Sequence, residues 1–116
     1  MLIPRQPPGL LMVSLVPETP CLLLALRGEL DLSSEHQVPG DHYADRPDLT
    51  TVLIDLGDLT FCDCSGLRRL LNFRETHVAQ GRAVEVVRAN PFIRRLVHLC
   101  ELTDRLQVEG AADTPA

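Results

Sequence analysis

Between residues 10 and 108 the chain alternates short apolar runs with turn-forming residues. Residues 10–16 and 21–27 are apolar runs parted by Pro17-Glu18-Thr19-Pro20, which predicts two strands joined by a tight connection. Leu32-Ser33-Ser34-Glu35 then predicts a helix start with a serine cap and an acidic first turn, cut short by Pro39 and Gly40. Residues 39–49 carry no clear period. Residues 51–56, TVLIDL, are β-branched and almost continuously apolar, which predicts a central strand buried on both faces of a sheet. Gly57-Asp58 is the predicted turn out of that strand. FCDCSG follows, and then a helical stretch in which Leu67, Leu70, Leu71 and Val78 form the apolar stripe, stopped by Gln80-Gly81. Residues 83–87 read as a further strand. Asn90-Pro91 supplies a cap and a first-turn proline for a last helix, with Phe92, Ile93, Leu96, Val97 and Cys100 on one stripe. Leu106 and Val108 are candidates for a short final strand.

The order β-β-α-β-α-β-α belongs to the α/β class, with a mixed central sheet and helices packed mainly on one side. A chain of 116 residues, 45% hydrophobic, closes one core and not two. The expected organisation is a proline-rich arm over residues 1–9, one domain over residues 10–109, and a small polar tail over residues 110–116. No internal repeat is visible.

Charge and composition narrow the partners. A formal net charge of −5, with the charges scattered, disfavours duplex nucleic acid. Three Phe, one Tyr and no Trp leave little for single-stranded bases to stack on. A protein partner or a small ligand remains. All cations are Arg, so lysine Schiff-base chemistry and a P-loop lysine are both excluded. Cys21, Cys62, Cys64 and Cys100 are expected as reduced thiols, because a core of this size needs no bridges. The early apolar run is too short for a membrane span, and the Pro17-Glu18-Thr19-Pro20 segment after it is a poor cleavage site. The reading is a cytoplasmic protein with no membrane insertion.

In sheets of this class, function gathers in loops at the carboxyl ends of strands, where FCDCSG lies. Ser65 is expected at or near a helix N-terminus, where unpaired N–H groups and the helix dipole favour an anion such as a phosphate. Gly66 would permit close approach of another chain, and Arg68 is spaced to pair with a phosphoserine. An ordinary Ser N-cap is the simpler reading of the same spacing. Other chemistries fit less well. Cys62, Cys64, His98 and Cys100 lack the usual C-x-x-C zinc spacing, so no metal is expected, and the pattern implies no other cofactor. Cys64 near a helix N-terminus would suit a thiol redox sensor. Ser65 as a catalytic nucleophile lacks the G-x-S-x-G elbow, and none of His36, His42, His77 and His98 is placed as its base.

Two segments in order carry a family resemblance. VLIDLGDLTFCDCSGLRRLL, residues 52–71, resembles the signature of STAS-domain proteins of the anti-sigma factor antagonist type, in which a D-S-S-G-L-like loop is phosphorylated. Here that loop is Asp63-Cys64-Ser65-Gly66-Leu67. LALRGELDLSS, residues 24–34, is similar to the G-E-L-D segment of the same family. The resemblance implies a partner-switching module and not an enzyme. Its partners would be an anti-sigma factor with serine kinase activity, bound by the unphosphorylated protein to release a sigma factor, and a phosphoserine phosphatase that resets the switch. Ser65 would be the phosphoacceptor. Asp31, Leu32, Ser33, Asp63, Cys64, Gly66, Leu67 and Arg68 would form the partner-binding surface. The sequence departs from the family at Cys64, where many relatives have a first serine, and at Pro39-Gly40, which shortens the first helix. Members of the family that regulate transporters supply a second reading, an unphosphorylated STAS subunit of a transport or signalling assembly.

Overall fold

The computed structural model describes residues 10–40 and 43–106. The expected arm over 1–9, the tail over 110–116 and Val108 lie outside the described residues. Strand β1 (Leu11–Glu18) pairs antiparallel with β2 (Cys21–Leu30), from Leu11 opposite Gly28 to Glu18 opposite Cys21. β2 pairs in parallel with β3 (Thr51–Cys62), which pairs in parallel with β4 (Ala83–Val87), giving a mixed four-stranded sheet in the order β1-β2-β3-β4. Helix α1 (Cys64–Ala79) connects β3 to β4, and α2 (Pro91–Leu99) and the short α3 (Thr103–Leu106) follow. The expected class and the one-sided packing of helices are both present.

One face of the sheet carries the core. Leu22, Leu24, Leu26 and Leu30 of β2 and Val52, Ile54 and Leu56 of β3 are buried against Leu67, Leu70 and Phe73 of α1 and Ile93 and Val97 of α2. Among the described residues no helix covers the opposite face, and Thr51, Leu53 and Asp55 are only half-buried. This corrects the expected burial of β3 on both faces. An apolar run can serve a half-covered sheet because sheet surfaces retain much apolar area.

Gly57-Asp58 is not a turn. β3 runs through it, and its pairing with β2 skips a residue twice, between Ala25/Arg27 and again between Gly28/Glu29. Each skip is a bulge in β3, and a bulge changes which face the following residues meet. Buried positions therefore move from Leu56 to Leu59 and then to Cys62, three residues apart instead of two. Gly28, at φ 105°, occupies the left-handed region where glycine is favoured, opposite Leu59 in this irregular stretch.

Among the described residues, the crossover from β2 to β3 contains a 3-10 turn, Glu35–Gln37, in place of the expected first α-helix. Ser34 flanks it without a side-chain capping bond, because its hydroxyl is committed elsewhere. Arg82 secures the rest of this crossover. Only 6% exposed, it donates hydrogen bonds to the carbonyl oxygens of Tyr43, Arg46 and Leu49 and to Gln80, and its Nη1 meets His77 Nδ1 at 2.9 Å. Guanidinium nitrogens only donate, so Nδ1 of His77 is the acceptor there. On the surface Asp48 accepts from Arg46 and Thr19, and these bonds hold its carboxyl well below the usual carboxylate range.

Other corrections are local. α1 buries Phe73 and His77 but leaves Val78 43% exposed, and α2 buries Ile93 and Val97 while Phe92 faces outward. Leu106 ends α3 and forms no strand. Asn90 caps α2 as expected, its side chain accepting from Ile93 N, and Gly81 follows α1 at φ 87°.

Candidate functional site

β3 delivers its last buried residue, Cys62, next to the end of β2, and the chain turns there into α1. The turn is held by Asp63. Its Oδ1 accepts from Gly66 N at 2.8 Å, making Asp63 the N-cap of α1, and its Oδ2 accepts from Leu32 N at 3.2 Å. Asp63 N in turn donates to Leu30 O. One carboxylate thus ties the first turn of α1 to the loop that leaves β2. Ser65 is therefore not the cap. It is the second residue of the helix, half-buried, with the capping duty carried by its neighbour.

The loop from β2 is organised by Asp31. Oδ1 of Asp31 accepts from Ser33 N, Ser33 Oγ and Ser34 N. These bonds, above all that from the Ser33 hydroxyl, lower the Asp31 pKa. Ser34 is buried, donates from Oγ to Glu29 O and accepts from Asp31 N. Sequence reasoning named Ser34 only as part of a helix start, although its position after G-E-L-D is the signal that a short polar side chain is needed to close this loop.

Gly66 sits where α1 crosses closest to β2. A Cβ at this position would lie 2.5 Å from Leu30 O, 2.7 Å from Leu30 Cγ and 2.8 Å from Cys62 Sγ. The close approach that glycine permits is thus to the chain's own strand, which corrects the expectation of an approach by another chain. Leu67 is fully buried as well, so Gly66 and Leu67 hold the loop in place and present no side chain at the surface.

The other expected residues are gathered around the same edge. Leu32 is 71% exposed, Ser33, Cys64 and Arg68 are exposed, and Asp31, Asp63 and Ser65 are half-buried. Phe61 of FCDCSG and Phe92, which the pattern put on the apolar stripe of the last helix, add exposed apolar surface beside them. Phe61, just before this turn, stacks on Phe92 with ring centroids 6.1 Å apart, and both remain more than two-fifths exposed. The second bulge in β3 turns Phe61 outward, a displacement that strict alternation in the sequence conceals. The resulting edge combines exposed apolar side chains, two ordered carboxylates and a serine at a helix start. Such a surface is suited to binding a protein. Among the described residues no group of His, Cys, Asp and Glu is arranged to hold a metal ion, and no helix is long and apolar enough to cross a membrane.

Comparison with known proteins agrees with this fold. A family model described as "Mlab, STAS domain" matches residues 15–109. Comparison with curated proteins gives no match. Among solved structures, an anti-sigma factor antagonist from Mycobacterium paratuberculosis is similar at a TM-score of 0.70, with 22% identity over 94% of this chain and 97% of that one. The Bacillus cell fate determinant SpoIIAA in its phosphorylated form is similar at a TM-score of 0.59, with 23% identity over 88% of this chain and 97% of that one. The murine anion transporter Slc26a9 is similar at a TM-score of 0.54, with 12% identity over 75% of this chain and 14% of that one. At these identities the likeness is one of fold.

Proposed function

Because the chain belongs to the STAS-domain family, we propose that it is an anti-sigma factor antagonist that works by partner switching through Ser65. It is a binding module and not an enzyme, acts in the cytoplasm, and in its unphosphorylated form binds an anti-sigma factor with serine kinase activity, releasing a sigma factor. The observation that carries this reading is the placement of Ser65. It lies in the first turn of α1 with the cap supplied by Asp63, among Leu32, Ser33, Cys64 and Arg68, so its hydroxyl has no capping role to lose on modification. The similarity of the fold to an anti-sigma factor antagonist supports the partner class.

The switch follows from electrostatics. A phosphate on Ser65 brings about −1.5 to −2 charges. The N-terminus of α1 favours that charge in the free protein, with Arg68 one helical turn along to pair with it. In a packed complex the same charge is desolvated and repels acidic groups of the partner. The phospho-form is therefore the free form, and a phosphoserine phosphatase restores binding. Asp31 and Asp63 act by ordering the two loops of the interface, which lowers the entropy lost on docking.

Intact mass of the protein from its native cells, before and after phosphatase treatment and beside a Ser65→Ala control, tests the assignment. A phosphatase-sensitive phosphate that the control lacks is expected. In binding assays with the kinase partner, Ser65→Asp should lose at least about 2 kcal/mol, roughly thirtyfold in affinity, while Ser65→Ala binds and stays bound in the presence of ATP. Equal affinity of the two variants would sink the proposal.

A second reading is an unphosphorylated STAS subunit of a transport or signalling assembly. The matching family model, described as "Mlab, STAS domain", and the presence of this fold within an anion transporter chain favour it. Absence of phosphate under every growth condition, together with stable co-purification of a membrane assembly, would select it.

A further inference from the structure

Two thiols from distant parts of the chain meet beside the site. Cys64 is the first residue of α1 and exposed, and Cys100 is the C-cap of α2 and half-buried; their sulfurs are 3.7 Å apart. A disulfide needs about 2.0 Å between sulfurs, so bridging requires a closure of under 2 Å, within what side-chain rotation at two helix ends can supply. The sulfurs border a solvent-open pocket of about 360 Å³, whose lining includes Arg68, Leu71 and Arg105. A molecule the size of hydrogen peroxide enters such a pocket freely.

The remaining cysteines are placed otherwise. Cys62 is 2% exposed, its Sγ donates to Asp63 O, and burial pushes its thiol up to about 12. Cys21 begins β2, at the end of the sheet opposite Cys62 in the parallel register. Exposure and proximity therefore single out one pair of the four cysteines.

We propose that Cys64 and Cys100 are a peroxide-oxidisable pair that closes into a reversible disulfide, pinning the start of α1 to the end of α2. The sulfur of Cys64, the more exposed of the two, attacks one oxygen of hydrogen peroxide. A sulfur–oxygen bond forms, the oxygen–oxygen bond breaks, and the departing oxygen leaves as water with the thiol proton, giving a sulfenic acid. Cys100 sulfur then attacks Cys64 sulfur and displaces the hydroxyl group, which leaves as a second water with the Cys100 proton. Peroxide accepts two electrons and the thiol pair gives them up; a low-molecular-weight dithiol reverses the step. Burial and the hydrogen bond with Cys64 both raise the Cys100 pKa, which disfavours Cys100 as the thiol that meets peroxide first. The disulfide would stand immediately before Ser65, yet its formation does not depend on any role of that serine.

The test uses the reduced full chain, treated with equimolar hydrogen peroxide, blocked with iodoacetamide, and cleaved by trypsin without reductant. Before blocking, the intact mass should fall by about 2 Da, the two hydrogens lost to a disulfide. The peptide over residues 28–68 should be joined to that over residues 96–105 and released by dithiothreitol. Because the first peptide holds both Cys62 and Cys64, the variants decide between them: Cys62→Ala should retain the link and Cys64→Ser should abolish it. Cys100→Ala should instead accumulate a sulfenic acid at Cys64, trapped by dimedone. A link that persists in Cys64→Ser, or wild-type protein that oxidises only between chains or only to sulfinic acid, would overturn the proposal.

Discussion

The carboxylate of Asp63 accepts the backbone N–H of Leu32 while capping the helix that begins at Cys64, so a single side chain couples the loop after β2 to the loop after β3. These two strands lie side by side and in parallel, which brings their carboxyl ends together. The coupling makes the two motifs, thirty-odd residues apart in sequence, one surface.

Replacing Asp63 should loosen both halves at once. Loss of an N-cap costs about 1 kcal/mol and loss of a hydrogen bond to a charged group about as much again at this half-exposed position. Asp63→Ala should therefore unfold about 2 kcal/mol more easily in urea. Amide exchange should rise at Leu32 as well as at Gly66. Faster exchange confined to α1 would contradict the coupling.

Gly66→Ala and Gly81→Ala separate two reasons for glycine. At Gly81 the strain is only that of φ 87° in open space, worth about 1 kcal/mol. At Gly66 a methyl group would meet backbone as well as side chain, so α1 must shift, and overpacking of this kind costs about 1–3 kcal/mol. Denaturant midpoints should rank Gly66→Ala below Gly81→Ala, with the site of the first disturbed and that of the second intact.

A phosphomimetic at Ser65 should move stability and binding in opposite directions. A negative charge in the first turn of α1 stabilises the helix by about 0.3–1 kcal/mol at low salt. Ser65→Asp should thus melt at or slightly above wild type while binding its partner less well. A variant that melts lower would show that reduced binding reflects a damaged fold.

Cys62 gives the molecule an alkaline limit. Its thiol is pushed from 9.0 to about 12, chiefly by burial, so above about pH 9 the unfolded chain releases a proton that the folded chain keeps. The contribution of this thiol to stability should be constant below that pH and fall as pH rises from about 9 toward about 12. Urea unfolding at pH 7.5 and pH 10.5 checks this, and in Cys62→Ala the part of the fall due to this thiol should be absent.

Arg82 should prove structural. Arg82→Met would leave the carbonyl oxygens of Tyr43, Arg46 and Leu49 without their buried donor, and a few kcal/mol of stability should be lost. Arg82→Lys should rescue it poorly, because an ammonium cannot reproduce the planar fork. Near-wild-type stability of the Met variant would refute this assignment.

Much of the frame was legible from local signals. Pro17 to Pro20 marked the hairpin, Asn90-Pro91 the start of α2 and Gln80-Gly81 the end of α1, because each acts on its own backbone within a turn. Asp31 and Ser65 could be nominated, but the sequence did not say that Asp63, and not Ser65, caps α1. That choice depends on Leu32 arriving from another strand to share the carboxylate.

What the sequence determined by itself, then, was the order of the four strands with α1 and α2, and the residues of the loop, since turn, cap and hydrophobic period are properties of neighbours along the chain. Tertiary structure decided the rest. Bulges set by pairing with β2 carried β3 through Gly57-Asp58 and turned Phe61 outward, Gly66 was claimed by the chain's own Leu30, and Cys100 was brought against Cys64. Each of these is a contact between segments far apart in sequence, and only closure of the core around the sheet fixes which distant atoms become neighbours.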